Sequence, residues 1–296
     1  MHIPVLLEET ISILDPKPGN IFVDGTIGSG GHSKAVAEKL GRGIILGIDE
    51  DQTALVRSRG ALIGASAKII LSEGNFRHMD EHLRAAHLNG ADRMLFDLGM
   101  SSDQLEQSGR GFSFKSDEPL LMTLPIIPRE GQTTALEIVH TWSEESLADL
   151  FKTYGEERFA KRIAKGIVLE RARGVISTAK ALADTVMKNV PAFYRRGKTH
   201  PATKVFQALR IAVNDELGAL REGLNKASDL LRKNGRLAVI TFHSLEDRMV
   251  KNFFRELAQS GDFKLLTKKP IIAGRDEIKA NPRARSAKLR AVEKIS

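Results

Sequence analysis

Short apolar runs alternate with stretches of helical spacing through the first hundred residues. Residues 20–26, 43–49, 68–74 and 91–98 read as strands. Between them, 33–40, 51–63 and 77–88 place apolar residues at helical intervals. Strands and helices in alternation predict a parallel sheet covered on both faces. The pattern stops at 103–129, where Gly, Ser, Pro and charge are scattered as in a long loop. From 133 to 193 the spacing is helical, with Leu136, Val139 and Trp142, then Leu147, Leu150 and Phe151, and a strongly basic helix over 158–173.

The sheet pattern returns after His200. Pro201 suits the first turn of a helix reaching about Leu217, and another helix follows to Leu231. Asn234-Gly235 is a stop signal before a strand over 236–242. Ser244, with Asp247 three places on, is the expected cap of a helix to about Ala258. Residues 263–268 and 287–292 read as two last strands. The expected organisation is one α/β domain made of residues 1–104 and 200–296, interrupted by an inserted all-helical domain over 105–199.

Composition narrows the picture. The chain has 296 residues, 42% hydrophobic, which is ample for a core. It has no cysteine, so disulfides, thiolate metal sites and cysteine nucleophiles are excluded. There is no signal-peptide pattern and no apolar run long enough to span a bilayer, so a soluble cytoplasmic protein without a membrane partner is expected. The net charge is +8, concentrated between Lys264 and Ser296, where ten Lys+Arg face three Asp+Glu. Such a tail either binds phosphate backbones or is a solvated end.

The candidate chemistry begins at Asp24-Gly25-Thr26-Ile27-Gly28-Ser29-Gly30-Gly31-His32. Four glycines let the backbone turn tightly and approach a ligand, and the free amides of the next helix point at it. Asp49 ends the second strand, 19 residues after Gly30. A carboxylate there can accept from both hydroxyls of a ribose. Together these predict an adenosine-containing cofactor. The dinucleotide fit is imperfect, because Ser33 stands where a third glycine belongs. Asp97 and His243 end the fourth and fifth strands, where an open parallel sheet meets its ligands, and both are candidate catalytic residues. Lys204, Gln207, Arg210 and Asn214 share one helix face, read first as a solvated face and second as a polar wall toward substrate. No histidine pair sits at ligand spacing near carboxylates, so no metal is expected.

Further motifs carry a resemblance. They are His2-Ile3-Pro4-Val5-Leu6-Leu7, Gly47-Ile48-Asp49, Asn75-Phe76, Asp97 to Gln104, Arg110-Gly111-Phe112-Ser113-Phe114 and Tyr154 to Ala160. His200-Pro201-Ala202-Thr203, Phe206 to Arg210, Phe242 to Arg248 and Asn281 to Ser286 complete the series. In this order, over nearly the whole length, they resemble the bacterial 16S rRNA (cytosine-N4)-methyltransferases, the MraW-like, methyltransferase H type. The resemblance implies a class I, Rossmann-like methyltransferase sheet whose last strand is antiparallel, with a helical substrate-recognition insertion. It implies S-adenosylmethionine as donor and a decoding-centre cytosine of 16S rRNA in the small ribosomal subunit as acceptor, and it leaves a homodimer open. Matched by motif, the cofactor contacts fall on Gly30, Gly31, His32, Asp49, Phe76, Asp97 and Gln104, with Phe76 against the adenine.

Asp97 is also the candidate acceptor for the amino proton of the target. Lys161, Arg162, Lys165, Lys204, Arg210, Arg283, Arg285 and Arg290 are candidate RNA contacts. One departure stands out. Where the family reads Pro-Leu-Asp-Met-Arg-Met-Asp, this chain has Pro119-Leu120-Leu121-Met122-Thr123-Leu124-Pro125. An acid and a base have become Leu121 and Thr123. Two alternatives therefore stay open: action on another RNA or DNA amino group, and a catalytically weakened RNA-binding member.

Overall fold

The structure, a computed structural model, describes residues 4–100, 105, 108–115, 117–128 and 130–296. Its strands are β1 Ile21–Asp24, β2 Ile44–Asp49, β3 Lys68–Glu73, β4 Ala91–Asp97, β5 Leu231–Thr241, β6 Phe263–Leu265 and β7 Lys288–Lys294. The helices used below are α1 Leu7–Leu14, α2 Gly31–Leu40, α3 Gln52–Ala61, α4 Met79–Ala85, α5 Ala135–Thr141, α6 Glu144–Thr153 and α7 Ala160–Arg171. They continue as α8 Ala179–Lys188, α9 Ala192–Arg195, α10 Ala202–Asn214, α11 Glu216–Leu230, α12 Ser244–Ser260 and α13 Arg275–Ala280. The chain forms two compact units, Met1–Gly99 with Leu217–Ser296, and Met100–Glu216.

In the first unit the sheet runs β3-β2-β1-β4-β5-β7-β6. Strands β1 to β5 pair in parallel. Strand β7 is antiparallel to both its neighbours. This is the class I methyltransferase sheet that the resemblance implies. Alternate residues serve opposite faces. Phe22, Ile45, Leu95 and Ile240 pack with Leu14, Val36 and Leu40 on one side. Val23, Leu46, Phe96 and Val239 pack with Leu83, Leu224 and Phe254 on the other. Burial on both faces explains why these strands read as continuous apolar runs.

Several local readings change. Helices α1 and α13 go beyond the sequence expectation, and they support each other: Leu6 enters α1 in the left-handed region without a side-chain cap, and its N–H donates to Glu277 of α13 at 2.7 Å. The cap of α12 is His243, not Ser244. Its Nδ1 accepts from the Glu246 N–H, while the Glu246 carboxylate accepts from the N–H of His243 at 3.1 Å.

The basic C-terminal region is not solvated throughout: Lys264, Lys268, Lys269, Arg275, Lys279 and Arg285 are exposed, but its last strand is part of the sheet. Arg290 is buried and donates to Asp247 at 2.7 Å, and Lys288 donates to the same carboxylate at 2.9 Å. As a phosphate contact Arg290 is therefore excluded, because its charge is spent inside the fold. No helix among the described residues is long and apolar enough to cross a membrane.

The second unit is built on helices α5 to α10 around Leu147, Phe151, Ile163, Leu182, Val205 and Leu209. The face of α10 expected to be solvated is instead a hydrogen-bonding face. Gln207 donates to the Tyr154 carbonyl at 2.9 Å, and Lys204 to the Glu156 carbonyl at 2.8 Å. Asn214 donates to the Met122 carbonyl and accepts from the Leu124 N–H. The departing loop is thus fixed to this helix. Leu120, Met122 and Thr123 are buried, Leu121 is half-buried, and the Thr123 hydroxyl donates to the Pro125 carbonyl at 3.0 Å. The apolar stretch divides: Leu120 and Met122 enter the core, whereas Ile126 and Ile127 stay exposed.

Burial alone would raise the Asp247 carboxyl, but bonds from Arg290 and Lys288 hold it below its ordinary range. Asp247→Asn leaves Arg290 buried beside a neutral amide. Urea denaturation is expected to show a loss of about 3 kcal/mol.

Candidate functional site

Strand pairing assembles the candidate site before any loop is considered. Parallel register sets Asp24 level with Gly47 and Leu95, Asp49 level with Glu73, and Asp97 level with Ile240. The carboxyl ends of β1, β2 and β4 therefore all carry aspartate along one rim of the sheet.

The glycine turn follows β1. Its glycines divide into two kinds. Gly25 and Gly31 are small because protein fills the space: a Cβ on Gly25 would lie 2.6 Å from the Phe96 ring, and one on Gly31 would strike Pro4. Gly28 and Gly30 have positive φ, 52° and 79°, which an L side chain rarely adopts. Gly30 is the N-cap of α2. Gly28 donates its N–H to Asp49 at 2.9 Å, and the other Asp49 oxygen accepts from the Asp51 N–H at 2.9 Å. Burial raises Asp49 to about 6 against those two bonds. Each oxygen keeps a lone pair for a further donor.

Asp97 and His32 meet beneath this turn. The Asp97 N–H donates to Thr26 Oγ1 at 2.6 Å, tying the end of β4 to the turn. His32 is buried, and its Nε2 lies 3.0 Å from the Val5 carbonyl. A carbonyl only accepts, so Nε2 carries the hydrogen and Nδ1 of the neutral ring is an acceptor. That Nδ1 stands 3.5 Å from Asp97 Oδ2. Burial lowers the His32 pKa, which favours the neutral ring. Burial raises Asp97 to about 7, opposed by the Gly99 N–H and reinforced by Glu246. Asp97 Oδ1 is buried with no hydrogen-bond partner among the described residues.

Such an orphaned carboxylate oxygen fits a ligand bearing positive charge or N–H donors. A ribose beside Asp49 and a sulfonium near Asp97 suit these two acids. Phe76 follows β3 and is half-buried, its ring 4.8 Å from that of Phe96 and packed on the space left by Gly223.

Two residues of this cluster were not anticipated. Thr26 holds β4, and Asp24 accepts from Ser33 Oγ at 2.6 Å while buried beside His32. An acid ending the first strand was the available signal, hidden because it read as part of the turn. Gln104 lies outside the described residues. His243 lies two residues past the end of β5, and its ring nitrogens face Glu246, which makes it the organiser of the α12 start.

The expected RNA contacts are scattered. Lys161, Arg162 and Lys165 are exposed on α7. Arg285 is exposed and Arg283 half-buried in the turn Pro282–Ser286. Arg210 is mostly buried and lies 2.7 Å from Glu216, and Lys204 holds a backbone carbonyl.

The chain matches the model of the MraW methylase family over residues 1–295. It is 44% identical to the ribosomal RNA small subunit methyltransferase H of Heliobacterium modesticaldum, across 99% of this chain and 98% of that one. It is also 44% identical to the protein of the same name from Persephonella marina, across 99% of both chains. The counterpart from Geotalea daltonii is 43% identical over 99% of this chain and 98% of its own length.

The raised Asp97 pKa has a thermodynamic consequence. The folded state holds this proton more tightly than the unfolded chain, so stability falls as pH rises from 3.8 toward 7 and levels off above. Asp97→Asn is expected to raise the melting temperature at pH about 8 more than at pH about 5, and to flatten part of that slope. Thermal unfolding at several pH values checks this.

Proposed function

We propose that this chain, which belongs to the MraW methylase family, transfers the methyl group of S-adenosylmethionine to the exocyclic N4 of a decoding-centre cytosine of 16S rRNA. The observation that carries the cofactor half is the pair of acids at the ends of β2 and β4, one tied to the glycine turn through the Gly28 N–H and one with an orphaned oxygen. The acceptor half rests on the family and on relatives named for the small ribosomal subunit.

S-adenosylmethionine supplies a methyl group already activated on a sulfonium. Asp49 holds the ribose hydroxyls with the lone pairs left by Gly28 and Asp51. Gly30, Gly31, His32, Phe76 and Gln104 complete the cofactor contacts. What remains is to bring a poor nucleophile into line, since the lone pair of a cytosine amino group is delocalised into its ring. Positioning of this kind contributes on the order of 7 kcal/mol or more.

Asp97 serves as the hydrogen-bond acceptor for the amino group and receives its proton. A carboxyl at about 7 is well matched to that task near neutral pH. His32 presents an acceptor 3.5 Å from Asp97 Oδ2, which can take a hydrogen bond only once Asp97 has received its proton. His243 acts by fixing the start of α12 and is a positioning residue.

Residues 105–199 form the substrate-recognition part, with Lys161, Arg162 and Lys165 contacting phosphates; Arg283 and Arg285 are candidate phosphate contacts by themselves. The target base leaves its stack at a cost of a few kcal/mol, less in a loop than in a duplex. Burial of Thr123 in the second unit, with Leu121 half-buried, speaks for a structural rather than a disabling change.

Tritiated methyl transfer to small subunits lacking the modification, with mapping of the labelled nucleotide, tests the whole reading. Label on a cytosine N4 is expected, and label elsewhere would redirect it. Titration calorimetry should show S-adenosylmethionine affinity reduced about tenfold or more by Asp49→Ala. A parent chain that binds no S-adenosylmethionine would sink the enzyme assignment. RNA affinity should fall steeply with salt.

A further inference from the structure

One cluster in the second unit is used by none of the chemistry above. Arg158 precedes α7, and its guanidinium lies over three aromatic rings: Tyr194 at 4.7 Å, Phe159 at 4.8 Å and Phe193 at 5.3 Å. The rings hold one another edge-on, Phe159 against Tyr194 at 4.9 Å and against Phe193 at 6.1 Å. Tyr194 is anchored in turn, its hydroxyl donating to the buried Glu157 carboxylate at 2.6 Å. Arg158 makes no ion pair among the described residues, and Phe193 is 65% exposed.

A cation held only by ring faces needs no such exposed outer ring. Phe193 at the tip of α9 buries little, so its own packing contributes little to stability. Its neighbours in sequence are basic, Arg195, Arg196 and Lys198, all exposed. Lys161, Arg162 and Lys165 stand exposed on one face of the helix that Arg158 leads into. The surface thus combines a rigid aromatic ring, a planar guanidinium and a positive surround. That combination suits an unpaired nucleobase, whose ring stacks on the aromatic or guanidinium plane while its phosphates meet the lysines and arginines.

We infer that Phe193 and Arg158 form a stacking platform for an unpaired base of the RNA substrate, away from the base that is methylated. This deepens the RNA reading above and rests on it. Phe159 and Tyr194 are the support that holds the guanidinium flat, and Glu157 fixes the support.

The test uses the full chain and a labelled single-stranded RNA 12-mer, read by fluorescence anisotropy at several salt concentrations. Phe193→Ala is expected to weaken RNA binding about tenfold with the salt slope unchanged, because a stacking contact is lost and no charge is. Phe193→Trp should restore the affinity. Lys161→Gln with Lys165→Gln should lower the salt slope instead. Melting temperature and S-adenosylmethionine affinity should not move in Phe193→Ala. Two results overturn the platform: Phe193→Ala binding RNA as tightly as the parent, or Phe193→Trp binding as weakly as Phe193→Ala. Either leaves methyl transfer to small subunits by the parent intact, so the broader reading survives. A parent chain that binds no RNA and methylates no subunit removes both.

Discussion

The structure depends on β1 being paired on both sides. Its four residues pair with β2 on one edge, and three of them pair with β4 on the other. From β1 the chain winds outward through β2 and β3, then returns to place β4 on the opposite flank. Strand order reverses at that point, and a crevice at the carboxyl ends is the geometric result. The turn after β1 can reach Asp49 through Gly28 and Asp97 through Thr26 only because both neighbouring strands end level with it. The acids are costly to bury, and hydrogen bonds from Ser33, Gly28, Asp51 and Gly99 offset part of that cost.

The same logic governs the cations. A basic protein invites the reading that its lysines and arginines face nucleic acid. Here several are structural. Arg290 and Lys288 converge on Asp247, Arg236 lies against Glu293, and Arg210 against Glu216. The cations left on exposed faces, such as Lys161, Arg162 and Lys165, are the more informative set. The number of lysines and arginines therefore overstates the nucleic-acid footprint, and burial selects the part of it that is available to a partner.

Much of the sheet was legible because its strands are buried on both faces and leave apolar runs bounded by turns, as at β1, β2 and β4. The turn and Asp49 were legible because backbone demands restrict which residues fit. Three features were not. Helix α1 begins without a side-chain cap, and its support comes from Glu277 at the far end of the sequence. Histidine is an uncommon N-cap, so Ser244 drew the expectation that belongs to His243. The polar face of α10 looked solvated because periodicity tells which residues share a face and not what that face meets. Gln207 and Asn214 meet backbone carbonyls that lie far away along the chain. The site shows the same limit: Asp49 stood out by its place at a strand end, whereas the meeting of His32 with Asp97 needed the Val5 carbonyl to fix the ring.

Strand β7 lies inside the sheet, between β5 and β6, although it is last in sequence. The β4–β5 seam likewise joins segments separated by the entire second unit. During synthesis the second unit is a continuous stretch that emerges whole and can condense early. The first unit must wait, holding β1 to β4 with an open edge until β5 and then β7 arrive. Pairings so remote in sequence are slow to form. The half-built sheet would present the unpaired backbone of β4 and its apolar faces to solvent in that interval. The order in which the chain is made thus exposes the strand that carries Asp97 for longer than a contiguous domain of this size would.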